Sequence, residues 1–137
     1  MNYPLAPSGI FWSWQSEGWL RQWMPFIRLA GCSVGCSPLC DTNYRKAESA
    51  TEEEIRIRVQ SITPINLRDR WVWITGGEPT DHNLRPLVAE LRSNGYMIAL
   101  ATAGHRHVAV DVDWLSVSPH DPAKWVQRFG DELKLVD

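Results

Sequence analysis

Apolar and polar positions change their period along the chain, and each change marks an element. GIFWSWQSEGW alternates enough to predict a strand with a turn at Ser16–Gly18. MPFIRLAG, Met24 to Gly31, is a short apolar run that predicts a buried strand entering the loop that follows. Thr51 and Glu54 stand at the T-x-x-E spacing of a capping box and predict a short helix through about Ser61. WVWIT, Trp71 to Thr75, is aromatic and β-branched and predicts a strand. Leu84, Leu87, Val88 and Leu91 fall at i, i+3, i+4 and i+7, an amphipathic helix that Gly95 ends.

YMIALAT, Tyr96 to Thr102, predicts the next strand, and WLSVS, Trp114 to Ser118, another. A helical PAKWVQRF and a last strand ELKLV, Glu132 to Val136, complete the pattern. Strands alternating with helices predict a single α/β domain over 1–137 with a mainly parallel sheet. Such sheets carry their sites at the carboxyl ends of the strands. The segments around Cys32, Gly76–Gly77, Thr102 and Ser116–Ser118 all end or follow predicted strands, so they are expected on one rim.

Composition narrows the function classes. Hydrophobic residues make up 44% and charged residues 22%, enough apolar content for a core. A net charge of −2 argues against a general electrostatic grip on nucleic acid or on an anionic membrane. No apolar run reaches the ~20 residues of a membrane span. The opening MNYPLAPSG lacks the basic and apolar regions of a signal peptide, so the expected compartment is the cytoplasm, where thiols stay reduced. Eight tryptophans are many for 137 residues. They fill core and hairpin positions, or one or two line a pocket for a flat heterocycle.

All three cysteines, Cys32, Cys36 and Cys40, lie in the stretch AGCSVGCSPLCDT. A disulfide framework conflicts with a reducing compartment and leaves an odd thiol. Zinc usually takes four ligands, and His82, His105, His107 and His120 would have to come from afar. An iron–sulfur cluster can use three thiolates and keep one iron open for a small molecule. The spacing favours the cluster and leaves zinc open.

FIRLAGCSVGCSPLCDT resembles the cluster loop of radical S-adenosylmethionine enzymes, and more narrowly that of the 7-carboxy-7-deazaguanine synthase (QueE-like) family. SGIFWSWQSEG is similar to that family's F-x-x-x-Q-G-E-G segment, WITGGEPT to its G-G-E-P motif, and WLSVSPH to its S-x-S-P-K strand end. The similarity runs from about Ser8 to the last residue, in the family's order. It implies a partial (β/α) barrel of the radical S-adenosylmethionine type, with an N-terminal strand and hairpin over 8–24 and a cluster loop over 31–42. It also implies a lyase that turns 6-carboxy-5,6,7,8-tetrahydropterin into 7-carboxy-7-deazaguanine, feeding deazaguanine nucleosides of tRNA (queuosine, archaeosine) or of DNA.

The same resemblance implies the site. Cys32, Cys36 and Cys40 would hold a 4Fe–4S cluster, and S-adenosylmethionine would bind the open iron. Gly76 and Gly77 would let the backbone approach that cofactor closely, and Glu78 would accept from its amino group. Leu39 would pack on the adenine, while Thr102 and Ser118 would donate to the cofactor. Thr42 would bind Mg2+ beside the substrate, a metal that takes few protein ligands. Gln15, Glu17, Arg28 and His120 would face the pterin, with Arg28 pairing its carboxylate or, alternatively, making a structural ion pair with Glu17. A reductant such as flavodoxin and a homodimer are implied as well.

Four features depart from the family pattern. The loop reads C-x3-C-x3-C where the family has C-x3-C-x2-C. Ala101 stands where E-T-x-G carries a carboxylate, and His120 where S-P-K has lysine. The chain ends after what counts as the fifth barrel strand, earlier than the family's sixth strand and tail. Two other functions therefore stay in view: another small radical S-adenosylmethionine enzyme such as a glycyl-radical activase, and a non-catalytic module that holds a cluster or zinc.

Overall fold

A computed structural model describes residues 1–15, 21–31, 47–118, 126–127 and 130–133. Seven strands form one sheet in the order β3-β1-β2-β4-β5-β6-β7. They are β1 (Asn2–Gln15), β2 (Gln22–Leu29), β3 (Glu48–Thr51), β4 (Trp71–Gly76), β5 (Met97–Thr102), β6 (Trp114–Val117) and β7 (Glu132–Leu133). β1 runs antiparallel to both β2 and β3, whereas β2, β4, β5, β6 and β7 are successively parallel. The mainly parallel α/β sheet expected from the pattern is present, with five strands in its parallel arc.

Two helices cover one face: α1 (Glu52–Ile62) and α2 (Arg85–Ser93). The capping box forms as its spacing predicts, with Glu54 N donating to Thr51 Oγ1 and Thr51 N to the Glu54 carboxylate, both at 3.1 Å. Ile55 and Val59 of α1 and Leu87, Val88 and Leu91 of α2 pack on Ile27, Leu29, Val72, Ile74, Ile98 and Leu100 of the strands. The helical PAKWVQRF lies largely, and the end of the last strand wholly, outside the described residues.

Three features are new relative to the pattern. β1 starts well before the predicted strand and slips register between Leu5 and Ile10, where Ser8 takes φ 50°. That irregularity lets one strand pair with β3 through residues 2–5 and with β2 through residues 10–15. β3 itself is only four residues long, too short to show a period. No helix bridges β5 and β6, whose link at 103–113 packs Val108, Val110 and Val112 on the core instead. An aspartate placed just before each late strand sets its register. Asp113 exchanges two bonds with Ile98 and Asp131 two with Leu115, all between 2.7 and 2.9 Å.

The opposite face of the sheet carries the aromatic residues. Met24, Trp71, Trp73, Ala99 and Trp114 cluster there, with Phe26 and Ala101 against them. Alternation along each strand sends these residues to one face and the aliphatic set to the helices.

Candidate functional site

Continuing that alternation by one step takes Phe26 to Arg28, Trp73 to Thr75, Ala99 to Ala101 and Trp114 to Ser116 and Ser118. These more polar residues line a cavity of about 260 Å³ together with Trp14 and Gln15. Trp14 and Gln15 belong to β1, Ser116 to β6, four places along the sheet order. Strands lie ~4.8 Å apart, so a flat sheet would hold these residues nearly 20 Å from each other. Their sharing of one cavity means that the sheet curls around it, as a partial barrel does.

The floor of the cavity is aromatic and its upper wall polar. Phe26 lies 6.2 Å from Trp73 between ring centroids, and Phe11 stacks on Phe26 at 5.2 Å. The Arg28 guanidinium carbon sits 4.9 Å above the Phe11 ring, a cation–π contact that orients its planar fork. Arg28 and Thr75 are register partners on adjacent strands, as are Ala101 and Ser116. An aromatic base with one guanidinium and several neutral donors suits a flat, polar-edged, anionic ligand.

At the carboxyl end of β4 the chain passes through Gly76, Gly77 and Glu78. Gly76 has φ 132°, and a Cβ on it would stand 2.1 Å from the Leu29 carbonyl oxygen. Glycine here is therefore required by the neighbouring strand β2, a protein contact that the cofactor-approach argument did not anticipate. Gly77 N donates to Leu29 O at 3.0 Å and Glu78 N to Gly31 O at 2.8 Å. The turn after β4 is thus bonded to the last residues ahead of Cys32.

Glu78 is 0% exposed. Its Oε2 accepts from Thr80 N at 3.0 Å, from the Thr80 hydroxyl at 2.5 Å and from the Thr102 hydroxyl at 2.8 Å, and its Oε1 from Ala103 N at 2.7 Å. Three neutral donors converge on Oε2 and one on Oε1, so Oε1 keeps room for a further donor. Thr102, buried beside it, also accepts from Gly104 N at 3.1 Å. Both residues were expected to turn toward the cofactor. In this structure their side chains are also joined to each other, locking the ends of β4 and β5 together. Ser118 lines the cavity, and its N–H donates to Thr102 O at 2.8 Å.

Of the residues singled out in the sequence, Gln15, Arg28 and Ser118 meet in the cavity, while Gly76, Gly77, Glu78 and Thr102 form the adjoining rim. Glu17, Cys32, Cys36, Leu39, Cys40, Thr42 and His120 lie outside the described residues. Among the described residues no group of three or more His, Cys, Asp or Glu side chains could hold a metal ion. The sequence reading missed Phe26, Trp73 and Thr75 as cavity residues. A period of two counted back from Arg28 could have found Phe26, whereas Trp73 and Thr75 needed the register of β4 against β2, which sets them beside Phe26 and Arg28.

A curled sheet with five parallel strands, a cysteine segment rooted at the first of them and a glycine turn bonded to that root define a partial α/β barrel of the radical S-adenosylmethionine kind. No protein-family model matches the chain. It is 34% identical over 142 residues to the 7-carboxy-7-deazaguanine synthase of Synechocystis sp., covering 99% of this chain and 65% of the relative. It is 30% identical to the 7-carboxy-7-deazaguanine synthase of Burkholderia multivorans, covering 96% of this chain and 70% of that one. The crystal structure of QueE from Escherichia coli superposes with a TM-score of 0.69 at 28% identity, over 89% of this chain and 61% of that one. The chain belongs to the 7-carboxy-7-deazaguanine synthase family. It spans 60–70% of the length of the curated relatives it matches. Among the described residues no helix is long and apolar enough to cross a membrane.

Proposed function

We propose that this chain carries the cofactor-binding and pterin-binding parts of a radical S-adenosylmethionine lyase that forms 7-carboxy-7-deazaguanine. The observation that carries the reading is the continuity between cavity and rim. The cavity on the curled face opens beside the Gly76–Gly77 turn, and that turn is bonded to Leu29 and Gly31 just ahead of Cys32.

Cys32, Cys36 and Cys40 would hold the 4Fe–4S cluster, and the backbone at Gly76 and Gly77 would lie against S-adenosylmethionine. Bound there, that cofactor would supply radical hydrogen-abstraction chemistry toward the substrate. Glu78 would accept from the cofactor's amino group and Thr102 would donate to the cofactor, while their mutual bond holds the rim in shape. Leu39 would pack on the adenine and Ser118 would donate to the cofactor.

The substrate would be 6-carboxy-5,6,7,8-tetrahydropterin, its flat ring on the Phe26–Trp73 floor and its carboxylate at Arg28. Gln15, Glu17 and His120 would meet its polar edge, and Thr42 would hold Mg2+. One domain over 1–137 would carry all of this, in a cytoplasmic homodimer reduced by an electron donor such as flavodoxin. The product would enter deazaguanine nucleoside synthesis.

The test is anaerobic reconstitution with iron and sulfide, followed by metal analysis and turnover. Reduced protein is given S-adenosylmethionine with and without the carboxypterin, and 5′-deoxyadenosine and carboxydeazaguanine are measured. Pterin-dependent carboxydeazaguanine is the expected result. Zinc in place of iron, or a cluster that never cleaves S-adenosylmethionine, would sink the lyase reading. It would favour the non-catalytic module, to which Ala101, a bare methyl in the cavity wall, already lends weight.

A further inference from the structure

The three residues directly ahead of Cys32 present three successive carbonyls, and one short segment engages all of them. Leu29 O accepts from Gly77 N at 3.0 Å and Gly31 O from Glu78 N at 2.8 Å. Between them, Ala30 O lies 3.2 Å from His82 Nε2. A carbonyl oxygen can only accept, so the proton sits on Nε2 of this histidine. The first two contacts are backbone bonds that any side chain at those positions would preserve. The third depends on the imidazole alone.

Local chemistry delivers His82 to that place. Pro79 starts a single 3-10 turn, Pro79–Asp81, with the Glu78 side chain bonded to Thr80 N and His82 N bonded back to Pro79 O at 3.1 Å. That turn doubles the chain back toward the end of β2. Asp81 Oδ1 in turn holds Arg106 Nε at 3.2 Å, tying the turn to the segment after β5. The Ala30 carbonyl belongs to a residue only 2% exposed, and Gly31 follows it at φ 87°. The bond at Ala30 therefore fixes the backbone directly before the left-handed conformation at Gly31.

We infer that His82 is a positioning residue for the entry to the cysteine segment: its Nε2–H bond to Ala30 O holds Ala30 and Gly31, the last described residues ahead of Cys32, from outside the cavity. The inference rests on the reading of that segment as a metal-binding loop only for its consequence. Its geometric content holds in the metal-free protein.

The experiment compares wild type with His82→Ala and His82→Gln in two forms. In metal-free, reduced protein, hydrogen exchange is followed at the Glu78 and Ala30 amides, along with the rate at which iodoacetamide alkylates Cys32 relative to Cys40. In protein reconstituted with iron and sulfide, iron loss to a chelator and the electron paramagnetic resonance spectrum of the reduced sample are recorded. His82→Ala should speed exchange at Glu78 and alkylation of Cys32 by about fivefold, the scale of one neutral hydrogen bond. It should also release iron several-fold faster and broaden the spectrum. His82→Gln, which keeps a donor of similar reach, should recover most of both.

Unchanged exchange and alkylation in a folded His82→Ala protein would overturn the inference, whatever the metal result. So would His82→Gln behaving like His82→Ala. If wild type takes up no iron, the lyase reading fails, and the metal-free measurements still decide the role of His82.

Discussion

The Glu78 carboxylate and the Thr102 hydroxyl meet at 2.8 Å in the protein interior, joining the ends of β4 and β5 by a side-chain bond between neighbouring parallel strands. A buried carboxylate is tolerated only where donors replace its lost hydration, and here four do so. The rim of the site is thus preformed by the protein's own polar network.

Removing the carboxylate should therefore cost much stability. Glu78→Ala leaves the donors of Thr80, Thr102 and Ala103 without their acceptor and should lower stability by about 3–5 kcal/mol. Thr102→Val should cost about 1–2 kcal/mol. Urea unfolding of both and of the double variant checks this, and the two effects should fall short of additive because the residues share one bond.

Gly76 and Gly31 offer a controlled pair. Both have positive φ, 132° and 87°, but a Cβ on Gly76 meets the Leu29 backbone at 2.1 Å. Among the described residues a Cβ on Gly31 meets nothing within 4 Å. Gly31→Ala should cost about 1–2 kcal/mol from backbone strain alone. Gly76→Ala should cost about 3 kcal/mol or more, because strain and overlap with a strand backbone combine. Equal urea midpoints for the two variants would contradict the geometry.

Stability at alkaline pH should depend on Tyr3. Helix α2 has Leu84 at its N-cap with no side-chain bond, and the Tyr3 hydroxyl accepts from Leu87 N at 3.2 Å instead. The hydroxyl donates to Asn83 O at 2.5 Å. Burial pushes the phenol up from its ordinary value, the bond from Leu87 opposes that, and the charge of Glu52 adds to the rise. A raised folded-state value means stability that is fully present below the unfolded value of ~10 and lost as pH climbs through the higher folded value. Tyr3→Phe should cost about 1–2 kcal/mol at neutral pH and flatten the loss between pH ~10 and 12, measured by urea unfolding across that range.

Arg28 should act on ligand affinity. Its guanidinium is held over Phe11, which stacks on Phe26 in the cavity floor. With the proposed carboxypterin as ligand, Arg28→Gln should raise KM by about 10- to 100-fold, the range of a charge-assisted hydrogen bond, with a smaller change in kcat. Arg28→Lys should recover little, because a point charge lacks the planar fork. Phe11→Leu should weaken binding less than either.

Much of this architecture was readable along the chain. Short apolar, aromatic and β-branched runs gave β2, β4, β5 and β6 within a residue or two, the T-x-x-E spacing gave α1, and the i, i+3, i+4, i+7 leucines and valine gave α2. Those features are local, since the periodicity of a strand or helix and the chemistry of a cap are written in adjacent residues. The glycine turn and the cysteine segment were likewise visible as compositional events at strand ends, and the parallel topology predicted one rim for them, which the described residues follow as far as Gly31, whose carbonyl accepts from Glu78 N. What the tertiary structure decided is which partner each polar group takes. The sequence places Glu78 and Thr102 twenty-four positions apart, with nothing local to say that each satisfies the other. Gly76 reads as a ligand-facing glycine until β2 lies against it, and His82 reads as a stray histidine until Ala30 is brought within reach. Curvature was hidden for the same reason, because residues of β1 and β6 share a cavity only after five strands have paired and curled. Local patterns specify elements; desolvation of their polar ends chooses the contacts, and that choice is made only when the elements meet.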